Sequence, residues 1–112
     1  MTVTKPDALR VAAYQPAVIA SEPEASRVDE AVEAIRLAST DGAQLIVFPE
    51  GYPGPLRASA DYDAAPSISQ AAGAANCAVC WSRIERADDG RFRKVAYLIN
   101  EKGEQVLRYE RA

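Results

Sequence analysis

An α/β fold built on parallel strands is the class this sequence predicts, and three observations predict it. Two short apolar runs, at residues 9–14 and 43–48, read as strands. Between them lies one amphipathic helical segment that closes on Gly42. The second run follows that glycine with no linker, so strand, helix and strand make a βαβ unit with its two strands parallel.

Taken in order, the first run is mostly apolar and is closed by Gln15-Pro16, because proline cannot donate to a ladder and restricts the residue before it. Ser21-Glu22-Pro23-Glu24 then has the pattern of a capping box. Ser21 is the expected N-cap, Glu24 returns the hydrogen bond from three residues on, and Pro23 is tolerated in the first turn. Val28, Ala31, Val32, Ile35 and Ala38 recur at helical spacing, while Asp29, Glu30, Glu33 and Arg36 take the other face. The uninterrupted apolar stretch at 43–48 suits a strand covered on both faces. Residues 51–66 hold Pro53, Gly54, Pro55, Tyr62 and Pro66 with no period, which predicts a loop beyond the C-terminal end of the second strand. That is where α/β proteins place their chemistry. The Ala-rich stretch 67–76 reads as a second helix. Residues 78–84 and 95–99 read as a hairpin around Asp88-Asp89-Gly90-Arg91, and a turn at 101–104 leads into a last strand at 105–109.

Composition limits the partners. With 112 residues, 48% of them hydrophobic, the chain has room for one core, so residues 1–112 are expected to form a single soluble domain. Thirteen basic against 16 acidic residues leave a formal charge of −3, which speaks against nucleic acid or an anionic membrane surface as partner. No apolar run approaches the roughly 18 to 20 residues of a spanning helix, and the N-terminus lacks a signal-peptide core, so a cytoplasmic protein is expected. Cys77 and Cys80 are the two cysteines and histidine is absent, so Ser-His and Cys-His pairs cannot form and no metal site is expected. Acid–base work must fall to Asp, Glu, Lys, Tyr or Cys.

Phe48-Pro49-Glu50-Gly51-Tyr52 is the stretch most able to carry chemistry, because it fixes a carboxylate at the mouth of a buried strand. Glu50 is the candidate acid–base residue, and burial beside apolar neighbours is expected to raise its pKa toward neutrality. Tyr52 is the candidate substrate contact. Cys77-Ala78-Val79-Cys80 invites a redox reading. On a strand, however, residues three apart point to opposite faces, and a small buried apolar role is the simpler one. Arg91, Arg93 and Lys94 sit beside Asp88 and Asp89 and read as a solvated hairpin tip, while Trp81 and Tyr97 read as core or interface.

Three stretches together resemble the N-terminal part of the nitrilase (carbon-nitrogen hydrolase) superfamily. Residues 10–16 look like the opening strand, 41–50 like the helix-to-strand passage that ends in the catalytic Glu, and 96–111 like the strand pair leading to the catalytic Lys. The resemblance implies about the first half of an α-β-β-α sandwich, an enzyme cleaving nitrile, amide or carbamoyl carbon–nitrogen bonds through a Glu-Lys-Cys triad, and no cofactor. Glu50 matches the Glu. Arg111, in Tyr109-Glu110-Arg111, stands where the pattern has Lys; it keeps the charge but is planar and permanently protonated. The family's nucleophilic Cys lies beyond the Lys, so neither Cys77 nor Cys80 matches it.

Three readings follow: a shortened hydrolase domain, silent alone and acting on a small nitrile or amide if completed; a small scaffold or assembly module that retains the fold; and a Cys-x-x-Cys redox domain. Half of a two-sheet core leaves an apolar face uncovered, with residues among Leu45, Val47, Leu98 and Val106, so a homo-oligomer is expected.

Overall fold

A computed structural model describes residues 9–16, 23–56 and 62–111. The elements run β1 (Val11–Ala13), α1 (Ser26–Thr40), β2 (Leu45–Val47), α2 (Ala65–Ala75), β3 (Ala78–Arg86), β4 (Phe92–Ile99) and β5 (Gln105–Arg111). One five-stranded sheet holds them in the order β1-β2-β3-β4-β5. The first three strands are parallel, and β4 and β5 add as antiparallel neighbours. Two crossovers of the same hand, each stepping one strand in the same direction, put both helices on one face. There α1 packs on α2, and Ser39 Oγ donates to the Ala75 carbonyl at 2.6 Å.

That face holds the core. Ile46, Val79, Val95, Tyr97 and Ile99 point toward the helices from alternate strand positions and meet Ile35, Ile68, Ala31 and Ala72. Trp81 stacks on Tyr97 with ring centroids 4.8 Å apart, so both belong to the core as read from the sequence. Their edge is closed by Arg83, whose guanidinium lies 5.2 Å from each ring and bonds Asp63 at 2.5 Å and Glu85 at 2.8 Å.

The other positions of the same strands are not covered. Val11, Val47, Leu107 and Tyr109 are exposed, and among the described residues no element packs on them. The 43–48 run is therefore covered on one face and not two: Ile46 is buried while Val47 is exposed. Its apolar character serves the helices on one side and an open sheet surface on the other.

Local signals hold with two corrections. Gly42 does end α1, at φ +87°, and the Ala43 N–H reaches the Ala38 carbonyl. The N-terminus differs. Ser21 and Glu22 lie outside the described residues, α1 begins at Ser26 after Ala25, and no side-chain cap bond is made there. Glu24 instead reaches the 51–66 loop, where Oε1 accepts from the Leu56 N–H at 2.5 Å and the Tyr62 hydroxyl at 3.3 Å. The Leu56 amide and the Tyr62 hydroxyl, which also reaches the Pro53 carbonyl at 2.9 Å, offer this carboxylate two donors where the helix start offers one amide. The second helix starts earlier than its Ala-rich stretch, with Pro66 in its first turn and Asn76 in the left-handed conformation closing it. No helix among the described residues is long and apolar enough to cross a membrane.

Candidate functional site

The site begins at the end of β2. The Phe48 N–H bonds the Cys80 carbonyl at 3.0 Å and extends the parallel pairing past Val47, and the chain then turns, with the Tyr52 N–H on the Pro49 carbonyl at 3.1 Å. Gly51 sits at φ +78°, a conformation that side-chain-bearing residues rarely adopt, and its N–H donates to Ser82 Oγ at 2.5 Å. Beyond it the loop is laid along β3. The Ser82 N–H meets the Tyr52 carbonyl, the Gly54 N–H meets the Ser82 carbonyl, and the Ile84 N–H meets the Pro55 carbonyl. These bonds fix the backbone on both sides of Glu50, so its carboxylate is aimed by the sheet.

What it meets comes from β4 and β5. Arg111 Nη1 donates to Glu50 Oε1 at 2.7 Å, and Lys94 Nζ lies 3.3 Å from the same oxygen. Lys94 and Arg111 are register partners, so they project side by side from the open face. Phe48, Cys80, Ser82, Ala96 and Tyr109 complete the walls of a hollow of about 250 Å³ with these three charges at its rim. A smaller hollow of about 110 Å³ adjoins it across Glu50, Ser82 and Lys94.

The electrostatics correct one expectation. Glu50 is not buried: its side chain is 57% exposed, and its pKa lies below the ordinary carboxylate value, not near neutrality. The hydrogen bond from Arg111 lowers it most, followed by Lys94, and little desolvation opposes them. The carboxylate is held as an anion.

Of the other residues named from the sequence, Arg111 is brought to Glu50 and Tyr52 is not. Tyr52 is 4% exposed on the helix side, in an aromatic cluster with Phe48 at 5.2 Å and Tyr14 at 5.9 Å, and its hydroxyl donates to the Arg27 carbonyl at 3.3 Å. The turn explains this: the strand ends at Val47, so the alternation that puts residues two apart on one face does not run through Glu50 and Tyr52. The neighbouring Tyr14 hydroxyl donates to Glu30 at 2.7 Å, and burial, with that bond, pushes it up to about 12. Cys77 is buried just before β3, whereas Cys80 faces the hollow. Both are free thiols whose pKa burial raises, the reverse of what a reactive thiolate needs. Among the described residues no group of three or more His, Cys, Asp or Glu is placed to hold a metal ion.

Lys94 was hidden by its neighbours in sequence. Beside Arg91 and Arg93 it reads as part of a solvated tip, and Arg93 does bond Asp89 at 3.0 Å. The signal that could have found Lys94 is alternation: Val95, Tyr97 and Ile99 point to the core, so Lys94 and Ala96 must point the other way, toward Arg111.

The family model described as carbon-nitrogen hydrolase matches residues 10–112. Among solved structures, an amidase from Nesterenkonia sp. is 23% identical with a TM-score of 0.75, over 92% of this chain and 42% of that one. The NitN amidase from strain AN1 of that genus is 23% identical with a TM-score of 0.77, over 94% and 44%. A mutant of the AN1 amidase, described as of the nitrilase superfamily, matches at 23% identity and a TM-score of 0.75, over 92% and 43%. At this identity the likeness shows the fold, and the chain spans less than half the length of the amidases it matches. No curated protein sequence matches it.

Proposed function

Because the chain belongs to the carbon-nitrogen hydrolase family, we propose that it forms the Glu50-bearing part of an enzyme that cleaves a non-peptide carbon–nitrogen bond in a small amide, nitrile or carbamoyl compound. The observation that carries this reading is the meeting of Glu50 and Arg111, 61 residues apart in sequence, at 2.7 Å over the hollow beyond the parallel strands. The amidase names of the structural neighbours favour an amide among the three. In this reading Glu50 takes the proton from an attacking thiol and passes it to the departing nitrogen, while Arg111 turns the carboxylate and lends positive charge to the substrate oxygen. Arg111 occupies the place of the family's lysine.

Neither cysteine matches the position of the family's nucleophile, and burial raises the pKa of both thiols, the direction opposite to an activated thiolate. We therefore read the nucleophile as supplied from outside residues 1–112, and the 112-residue chain as silent by itself. Ammonia release from acetamide and butyramide tests this. No turnover above the blank is expected from the chain alone; turnover abolished by iodoacetamide would instead assign the nucleophile to Cys80 or Cys77. The intact mass of the protein from its own source comes next. Should it exceed 12.1 kDa, Glu50→Gln in that longer protein is expected to lower kcat/KM by about 10² to 10⁴, and an unchanged kcat/KM removes Glu50 from the mechanism.

A second reading, a scaffold or assembly module joining copies of this chain, is favoured by the open apolar surface around Val47, Leu107 and Tyr109. A chain that turns over no amide in any form, yet is a defined homo-oligomer, supports it.

A further inference from the structure

Two cations reach Glu50, and they are not equivalent. Arg111 holds Oε1 at 2.7 Å from β5, the edge of the sheet, while Lys94 stands 3.3 Å from the same oxygen on β4. Lys94 and Arg111 are directly opposed on neighbouring strands, an arrangement that is repulsive when left to itself. A carboxylate shared between them removes that repulsion, so the geometry is a three-charge unit in which each cation depends on Glu50. The pairing is also specific: among the described residues Glu50 is the one acidic partner of the Lys94 ammonium. Its position differs from that of Arg111. Lys94 borders both the larger and the smaller hollow, whereas Arg111 borders only the larger of these two. Arginine at 111 offers a planar, permanently charged fork, and lysine at 94 adds a compact ammonium from a second direction.

We propose that Lys94 is a positioning residue of this site, fixing the Glu50 carboxylate from β4 at the junction of the two hollows while Arg111 fixes it from β5. The inference rests on reading Glu50 as the site's acid–base group, and it assigns a role to a residue that the hydrolase resemblance leaves out. The groups lining the two hollows with Glu50 are Lys94 on β4, Arg111 and Tyr109 on β5, and Cys80, Ser82 and Arg83 on β3. Lys94 and Arg111 pair with Glu50, whereas Arg83 is taken up by Asp63 and Glu85.

The test is a pH titration of the Glu50 carboxyl by ¹³C NMR in the 112-residue chain. Lys94→Met is expected to raise the proton affinity of Glu50 roughly threefold or more, and Lys94→Arg to return it close to the starting value. Equal titrations in wild type and Lys94→Met, or an equal rise in Lys94→Met and Lys94→Arg, overturn the assignment. Should Lys94→Met fail to give a folded amide spectrum, the unmodified chain still decides the matter. The Lys94 Cε resonance is expected to shift with the Glu50 midpoint, and a resonance that stays still across that range overturns the proposal. Glu50→Gln in the longer protein reads the hydrolase assignment separately: an unchanged kcat/KM there, with these shifts present in the chain, removes the reaction and keeps the Lys94 contact.

Discussion

At the scale of single residues, Glu50 shows how little a residue's stability role need share with its chemistry. It is fixed by the backbone around it, yet its carboxylate stands in solvent between two cations that are themselves more than half exposed. Exposed pairs are well screened and contribute little to folding. Glu50→Gln, which keeps the volume, is therefore expected to leave the fold intact and move the thermal midpoint only slightly at neutral pH. The sign of its pH dependence follows from the direction of the shift. A carboxylate whose folded pKa is lowered stabilises above its unfolded value, here the ordinary 4.5, and loses that contribution as pH falls through the lower folded value. The small gap between wild type and Glu50→Gln should close on acidification below 4.5 and stay open above it. Paired melting curves across that range check this, and a gap that widens in acid contradicts the ion-pair geometry.

At the scale of elements, the two hairpin glycines separate backbone conformation from close packing. Gly90, at φ +79° in the turn between β3 and β4, has open space where a Cβ would go. Gly103, at φ +82° before β5, has the Ser69 carbonyl oxygen 2.6 Å from that point, so the turn is pressed against α2. Alanine at either position incurs the cost of a left-handed conformation, about 1 kcal/mol, and at 103 a clash with backbone is added. Gly103→Ala is expected to lower stability by roughly 2 kcal/mol or more beyond Gly90→Ala in urea unfolding. Equal losses would mean that the turn can lift off the helix at no cost. Much at this scale was legible in the sequence. The period of Ala31, Ile35 and Ala38 gave α1 its buried stripe, which Ala34 completes and the half-buried Val28 and Val32 flank, and Gly42 gave its end. The Gly90 and Gly103 turns marked the hairpins. Less legible was anything set by a partner distant in the chain. Glu24 leaves the helix start for the Leu56 amide, Tyr52 turns into the aromatic cluster, and Lys94 finds Glu50 only through the register of β4 with β5. The carboxylate of the candidate site could be read locally, and Arg111 by resemblance. The second cation could not, because its neighbours in sequence and its neighbours in space differ.

At the scale of the whole molecule, the decisive feature is that the sheet has one covered face and one open one. Both helices and nearly all buried side chains lie on one side, while Val11, Val47, Leu107 and Tyr109 hold more than a third of their surface in solvent on the other or at its edge. Sheets hide such a surface by packing face to face on a second sheet, about 10 Å away, and a second copy of this chain offers a matching one. Self-association through this face is the expected state of the 112-residue chain. Light scattering should then give a mass at or above twice 12.1 kDa, falling toward 12.1 kDa on dilution. Replacing Val47 and Leu107 by lysine tests the location. Both are exposed, so the charges should leave the folded chain intact while repelling a second copy, which shifts the mass toward the monomer without changing the circular dichroism. A wild-type chain that stays monomeric at high concentration rules out association altogether. A lysine variant that stays associated moves the contact elsewhere, with the exposed edge of β5 the next surface to test, because its outer backbone groups can pair with another strand.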